Sequence, residues 1–186
     1  MKLPDSLKKL VEFFESFPEI GPRQALRLTF FVARNEKFKS IFKNISEEIQ
    51  KIKLCKDCYF PFENEGDLCF FCSNPQRDKR KLCIVLSETT VLSLEKAQFY
   101  DGVYFILGER ELEKNIEKLR ELIKQRNVQK IIFSLPLTSE GRVIVEDIKS
   151  GLSDFKVEFI EPKMGLPKGG EVEFADPETL KEAFKF

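Results

Sequence analysis

Residues 55–72 have the sequence CKDCYFPFENEGDLCFFC, in which two CxxC pairs are separated by ten residues. Two residues between a pair of thiols let both sulfurs face the same ion, and two such pairs complete a tetrahedral site of four sulfurs. The spacing predicts one structural Zn²⁺ ion per chain, held by Cys55, Cys58, Cys69 and Cys72. No open coordination position is indicated, so zinc binding would contribute to the folding of a segment with little core of its own.

Alternatives for this stretch are an iron–sulfur cluster, redox-active CxxC pairs and incidental cysteines. Four thiolates can hold an iron cluster, but paired CxxC spacing favours zinc. The fifth cysteine, Cys83, lies in the apolar stretch LCIVL and is interpreted as a small buried side chain. No apolar run approaches the roughly 18 residues of a membrane helix, and no signal-peptide pattern is present. We therefore expect a cytoplasmic protein without a membrane partner, in which metal-bound or free thiols are more usual than disulfides.

The segment before the cysteines is predicted to be helical. Apolar residues recur at helical spacing in residues 4–17, 23–33 and 37–53. Such a unit of roughly 54 residues would have only modest stability alone. The first 54 residues contain 11 Lys or Arg against seven Asp or Glu, whereas the whole chain has 31 of each sign. A site for a polyanion must therefore be local, and the N-terminal segment is the candidate.

The stretch FPEIGPRQA, residues 17–25, joins the first two predicted helices as a tight hairpin containing Gly21. A hairpin of this kind at a helix N-terminus can present backbone N–H groups to a phosphate. Arg23 and Arg27 are one helical turn apart on the same face and could clamp a nucleic-acid backbone, and Lys37 would extend the basic surface. The alternative is an ordinary helical hairpin with solvated arginines.

The segment after the cysteines alternates between predicted strands and helices. This order indicates a mostly parallel sheet with helices on both faces. The predicted strands are residues 82–86, 103–107, 130–135 and 155–160, and the predicted helices are residues 88–98, 111–125 and 139–150. Residues 76–81, QRDKRK, are predicted to be a polar basic linker, and Asp176-Pro177 to open a short final helix.

The predicted fold class is thus multi-part α+β. It has an N-terminal helix–hairpin–helix, a knuckle with four cysteines (C4) and an α/β domain with a mostly parallel sheet. The predicted segments are residues 1–54 for DNA binding, 55–75 for the zinc finger, 81–162 for the α/β domain and 163–186 for a C-terminal loop and helix.

These parts, in this order, resemble the RecR family of recombination mediators over nearly the whole length of the protein. The motifs that support the resemblance are IGPR with Ala25 and Arg27, the four cysteines, YxGxY from Tyr100, Glu140-Gly141, and GLPKGGEVEFAD at residues 165–176. The α/β part is similar to a Toprim domain, the fold shared with primases and topoisomerases.

The resemblance implies a non-catalytic DNA clamp acting in gap repair and recombinase loading. It implies self-association, as a homotetramer ring or a dimer with residues 163–186 at a subunit contact, and RecO-like and RecF-like partner proteins. The DNA-binding residues would be Gly21, Arg23, Arg27 and Lys37. A possible partner or Toprim site would include Glu88, Glu140 and Gly141.

Several residues depart from the family pattern. Glu19 replaces the first glycine of the hairpin, and Leu86 stands where the first Toprim strand usually ends in Glu. Toprim enzymes hold Mg²⁺ through a strand-end Glu and paired Asp residues, and here only Glu88 and Glu140 follow strands at comparable places. We therefore predict that the protein is not an enzyme. The alternatives are a divergent Toprim nuclease or primase-like enzyme, and an interaction protein that has lost DNA binding.

Overall fold

A computed structural model of the protein describes residues 3–162, together with residues 165, 173, 177 and 179. The polypeptide forms two compact units, Met1–Lys53 and Leu54–Phe186. Among the described residues, no helix combines the length and the apolar character needed to cross a membrane.

The N-terminal unit contains three helices: α1 (Asp5–Glu15), α2 (Pro22–Arg34) and α3 (Glu36–Lys51). Pro22 occupies the first position of α2, where its missing N–H group costs no helical hydrogen bond. Asn35 caps α3, because its side chain accepts a hydrogen bond of 3.2 Å from the N–H of Lys37. The buried apolar residues of this unit are few: Phe14, Ala25 and Val32 form one small cluster.

The elements that follow in sequence begin with two short strands and one helical turn around the cysteines. They are β1 (Lys53–Leu54), β2 (Pro61–Phe62), α4 (Phe70–Ser73), β3 (Asp78–Val85), α5 (Glu88–Ala97), β4 (Gly102–Ile106), α6 (Leu112–Arg126), β5 (Lys130–Ser134), α7 (Ser139–Gly151) and β6 (Glu158–Ile160). Strands β1 and β2 pair with each other.

Strands β3 to β6 form one sheet in the order β4-β3-β5-β6, and each of their pairings is parallel. Val85, at the end of β3, is in register with Ile106 on one side and Ser134 on the other. Parallel neighbours need a crossover connection, and here helices supply it between successive strands. The predicted fold class is therefore confirmed.

Side chains of each strand alternate between two apolar clusters, one on each face of the sheet. On one face, Leu82 and Ile84 of β3 pack with the buried residues of α6 and α7. On the other face, Cys83 and Val85 pack with Val91 of α5 and with the four paired cysteines. The cysteine segment thus covers one face of the sheet in the way that a helix would.

The structure corrects the prediction that residues 76–81 are a linker, because β3 begins at Asp78. Two basic residues of this stretch are partly buried: Lys79 donates to two backbone carbonyls, and Arg77 donates to the carbonyl of Gly102. The last strand is also shorter than predicted, beginning at Glu158. The predicted final helix falls almost entirely outside the described residues.

Candidate metal centre and nucleic-acid interface

The first CxxC pair, residues 55–58, lies in a tight turn between β1 and β2. The N–H of Cys55 donates to the carbonyl of Phe60 at 3.0 Å, and the N–H of Tyr59 donates to the carbonyl of Cys55 at 2.9 Å. Tyr59 has a φ of 64°, the left-handed conformation that closes this turn. These bonds fix the backbone so that both sulfurs point to the same side.

The second pair, residues 69–72, occupies the start and first turn of α4. Cys69 is the N-cap residue of α4, and its carbonyl accepts from the N–H of Ser73 at 2.9 Å. The N–H of Cys69 donates to Sγ of Cys55 at 3.3 Å, which links the two pairs directly. Backbone N–H groups that donate to sulfur stabilise the thiolate form.

The four predicted ligand residues converge on one point. Their sulfurs all lie within 4.8 Å of one another, and Sγ of Cys58 and Sγ of Cys69 are 3.4 Å apart. Zn–S bonds of roughly 2.3 Å in a tetrahedron place sulfurs roughly 3.8 Å apart, so the cluster has the size of such a site. All four side chains are buried, with at most 3% of their surface exposed. The cluster can bind a metal ion and leaves no open face for a substrate.

The protonation state of each thiol depends on the others, because the four sulfurs lie within 4.8 Å of one another. Hydrogen bonding from Cys58 lowers the pKa of Cys55, while the same contact raises the pKa of Cys58. Without a cation, thiolates this close repel one another, so the cluster cannot ionise fully. A divalent ion removes that obstacle, which is the chemistry expected of a four-thiolate site.

The cysteine segment is attached to the edge of the sheet. The N–H of Ile106 in β4 donates to the carbonyl of Cys58 at 3.1 Å, which satisfies part of an edge strand that would otherwise be unpaired. Two edge-to-face ring contacts add to the attachment: Phe71 meets Tyr104 at 5.4 Å and Tyr59 meets Phe105 at 5.5 Å. Disorder in the cysteine segment would therefore also disturb the edge strand β4.

Two side chains near the cysteines were not identified by the sequence. Arg126 of α6 approaches Sγ of Cys72, and Lys79 of β3 donates to the carbonyls of Phe71 and Cys72. The only signal for Lys79 was its place in the basic stretch QRDKRK, and Arg126 had no signal, since it lies 54 residues from Cys72.

The four residues predicted to bind DNA are all exposed, in the N-terminal unit. Gly21 is the N-cap of α2 with an extended conformation, and that helix end receives no capping hydrogen bond from a side chain. Arg23 lies in the first turn of α2, while Arg27 and Lys37 line a concavity of about 1020 Å³ that Arg23 does not reach. Within the described part of the protein, none of the three basic residues forms an ion pair.

Glu19 precedes this helix end and has a φ of 65°. That conformation favours glycine, which is the residue the family resemblance led us to expect here. Glu19 is exposed and lies two residues before the N-cap residue Gly21, so a carboxylate that approached this helix end would compete with a phosphate for it.

Residues at the C-terminal edge of the sheet do not assemble a second metal site. Glu88 and Glu140 lie in the first turns of α5 and α7, and neither belongs to a group of three or more metal-ligating side chains among the described residues. Glu140 is exposed, and hydrogen bonds from its own N–H and from Thr138 lower its pKa. Gly141 is buried so closely that a Cβ there would lie 2.0 Å from the carbonyl oxygen of Pro136.

Known proteins resemble both the α/β part and the whole sequence. A Toprim domain family model matches residues 80–161. A Campylobacter jejuni protein named recombination protein RecR is 34% identical over 184 residues, covering 98% of this chain and 95% of that one. The Chloroflexus aurantiacus protein of the same name is 32% identical, covering 95% of this chain and 91% of that one. With a Toprim domain, a buried C4 cluster and identity of this extent over almost its full length, the chain belongs to the RecR family of recombination proteins.

Proposed function

We propose that this protein binds DNA through the N-terminus of α2 and acts as a non-catalytic clamp in recombinational repair. A role in recombination and repair follows from RecR membership, and the same membership confirms the prediction that the protein is not an enzyme. Action as a DNA clamp is a more specific proposal than a role in recombination and repair. It rests on one observation: Arg23 and Arg27 are exposed and one turn apart on α2, whose N-terminus has no side-chain cap.

The chemistry of this surface suits the sugar-phosphate backbone. The dipole at the helix N-terminus attracts an anion, and two guanidinium groups would add charge-assisted hydrogen bonds. Such contacts position a protein on DNA without selecting a base sequence. Lys37 belongs to the same unit and would add a further phosphate contact. Binding is therefore expected to depend strongly on salt and weakly on sequence.

The proposal includes a structural Zn²⁺ ion bound by the four cysteines. Burial, the mutual distances of the sulfurs and the closed geometry all fit a tetrahedral thiolate site. When bound, the ion supplies folding free energy and no chemistry on a substrate. The reduced thiols that it needs fit a cytoplasmic protein.

Self-association is also part of the proposal, as a ring-shaped tetramer or a dimer that recruits RecO-like and RecF-like proteins. Large apolar side chains of the N-terminal unit are exposed, among them Phe31 at 52%, Ile49 at 60% and Ile52 at 53%. Apolar surface of this kind is typical of a subunit contact. Residues 163–186, the other candidate contact, lie mostly outside the described residues. Size exclusion with light scattering, with and without DNA, measures the assembly.

The experiment that tests the DNA site is a salt titration of DNA affinity for the double variant Arg23→Ala with Arg27→Ala. Loss of two phosphate contacts should weaken binding to every sequence and reduce the slope of log affinity against log salt by about 1.4 to 1.8. The matched control, Lys96→Ala with Lys156→Ala, removes two exposed positive charges from the other unit. Equal slopes for the double variant and wild type would remove α2 from the DNA site.

A further inference from the structure

Two cationic side chains of the α/β unit lie against the cysteine cluster although neither can be a metal ligand. Nη1 of Arg126, the last residue of α6, is 3.8 Å from Sγ of Cys72. Its Nη2 donates to the carboxylate of Asp57, which lies between the two cysteines of the first pair. Nζ of Lys79 donates to the carbonyls of Phe71 and Cys72, at 3.2 and 2.8 Å.

The environment of Arg126 makes its charge effective. Its side chain is 11% exposed and that of Asp57 is 14% exposed, so water screens neither strongly. A buried guanidinium is costly unless its donors and its charge are matched. Asp57 matches part of this requirement, and the sulfur of Cys72 is the next acceptor that Arg126 meets.

The net charge of the metal centre also favours a neighbouring cation. Four thiolates and one divalent ion carry a net charge of about −2, which is held here in a buried site. Attraction between opposite charges is stronger in such surroundings than in water. A cation beside one sulfur therefore stabilises the metal-bound thiolate more than the neutral thiol of the metal-free cluster.

We propose that Arg126 is a positioning residue of the metal centre, which donates a charge-assisted hydrogen bond to the Cys72 thiolate and joins the two CxxC pairs through Asp57. This inference rests on the proposed zinc centre. Arg126 reaches the cluster from a helix that packs on the opposite face of the sheet, so it couples metal retention to the fold of the α/β body. Lys79 is the second cation beside the cluster and acts on the backbone carbonyls around Cys72.

The inference predicts which sulfur becomes vulnerable when the contact is lost. A thiolate beside a guanidinium is a weaker nucleophile, so we expect Cys72 to be less reactive while Arg126 is present. Residues that hydrogen-bond to metal ligands typically contribute 10- to 100-fold in metal affinity. Removing the guanidinium should therefore speed zinc release about tenfold and make Cys72 the first cysteine to react.

The test compares zinc-loaded full-length wild type, Arg126→Met, Arg126→Lys and the control Arg120→Met. Arg120 lies on the same helix and pairs with Asp154 at 2.6 Å. No hydrogen bond to a sulfur is found for Arg120 within the described residues. Zinc transfer to a chromogenic chelator gives the release rate, and mass spectrometry after brief N-ethylmaleimide treatment gives the order in which cysteines react.

The expected result is faster release and early modification of Cys72 in Arg126→Met, wild-type behaviour in Arg120→Met, and an intermediate rate in Arg126→Lys. Release from Arg126→Met no faster than from Arg120→Met would overturn the inference while leaving the zinc centre intact. Faster release with all four cysteines modified together would also overturn it, because that pattern indicates general loosening. If Arg126→Met does not fold, Arg126→Lys decides: a wild-type rate without preference for Cys72 contradicts the inference. Wild type without zinc would overturn the metal centre itself, a distinct outcome.

Discussion

Replacing Glu19 with glycine is predicted to stabilise the N-terminal unit and to strengthen DNA binding. Glu19 has a φ of 65°, in the left-handed region. A residue with a Cβ costs roughly 1–2 kcal/mol there, whereas glycine adopts this conformation freely. Glycine also raises the entropy of the unfolded state, which offsets about 0.4–1 kcal/mol of the gain. The net stabilisation expected for Glu19→Gly is therefore about 0.8 kcal/mol, the difference between the midpoints of these ranges.

The effect on DNA binding has a separate cause, which the variant Glu19→Gln isolates. Glutamine removes the charge but keeps the Cβ and therefore the backbone strain. An exposed carboxylate beside the helix N-terminus competes with a phosphate through an interaction of about 0.5–1 kcal/mol at low salt. Both variants should bind DNA about two- to fivefold more tightly than wild type, and the gain should shrink as salt increases.

Two measurements separate strain from charge. Hydrogen-exchange mass spectrometry of peptides from α1 and α2 reports the stability of the N-terminal unit within the full-length protein. Fluorescence anisotropy with labelled DNA reports affinity. Slower exchange is expected for Glu19→Gly and not for Glu19→Gln, with tighter DNA binding for both. Unchanged exchange in Glu19→Gly would refute the strain account, and DNA binding by Glu19→Gln no tighter than that of wild type would place the carboxylate away from the phosphates.

Two further predictions concern the α/β unit. Gly141→Ala should lower the free energy of unfolding by about 2–3 kcal/mol, because the new Cβ would lie 2.0 Å from the carbonyl oxygen of Pro136. Chemical denaturation measures this loss. Stability equal to that of wild type would contradict the prediction and would mean that α7 shifts without cost. Burial raises the pKa of Cys83 to about 12, so the thiol ionises more readily once unfolded and stability falls as pH rises above about 9. Cys83→Val should reduce that fall by up to about 1.4 kcal/mol per pH unit between roughly pH 9 and 10, and an unchanged alkaline slope would contradict the assignment.

Hydrophobic periodicity predicted the order of the first three helices and of the elements from β3 to β6, but it gave no sign of β1, β2 and α4 around the cysteines. The apolar run around Ile84 is buried on both faces of the sheet, and such runs mark parallel strands in sequence. The cysteine cluster was equally predictable, because the spacing within each CxxC pair is local. Its sulfurs meet in the structure as the spacing indicated.

The polar residues beside the cluster were not predictable, because their roles depend on distant contacts. The stretch at residues 76–81 was expected to be a polar basic linker, yet Arg77 lies over the ring of Phe71 at 4.9 Å and pairs with Glu95. Long cationic side chains can bury their stems while their charged heads find partners, and a sequence does not specify those partners. Arg126 is the clearest case, since Asp57 lies 69 residues away in the sequence.

The possible partner or Toprim site at the C-terminal edge of the sheet was predictable only in part. Thr138 caps α7 by accepting from the N–H of Gly141, so the order Thr-x-x-Gly has a structural reason at this helix start. Leu86, which stands where the first Toprim strand usually ends in Glu, is exposed at 40%. The sequence alone showed that the strand-end Glu is replaced by Leu86. The structure was needed to show that Gly141 allows α7 to approach the carbonyl oxygen of Pro136.

The metal content of the purified full-length protein tests the central claim most directly. Elemental analysis should find one zinc ion per polypeptide, and a thiol reagent under native conditions should leave Cys55, Cys58, Cys69 and Cys72 unmodified until a strong chelator is added. Folded protein with no bound metal and with these four thiols free to react would contradict the proposed role of the cluster. Iron in place of zinc would retain the site but overturn the assigned ion.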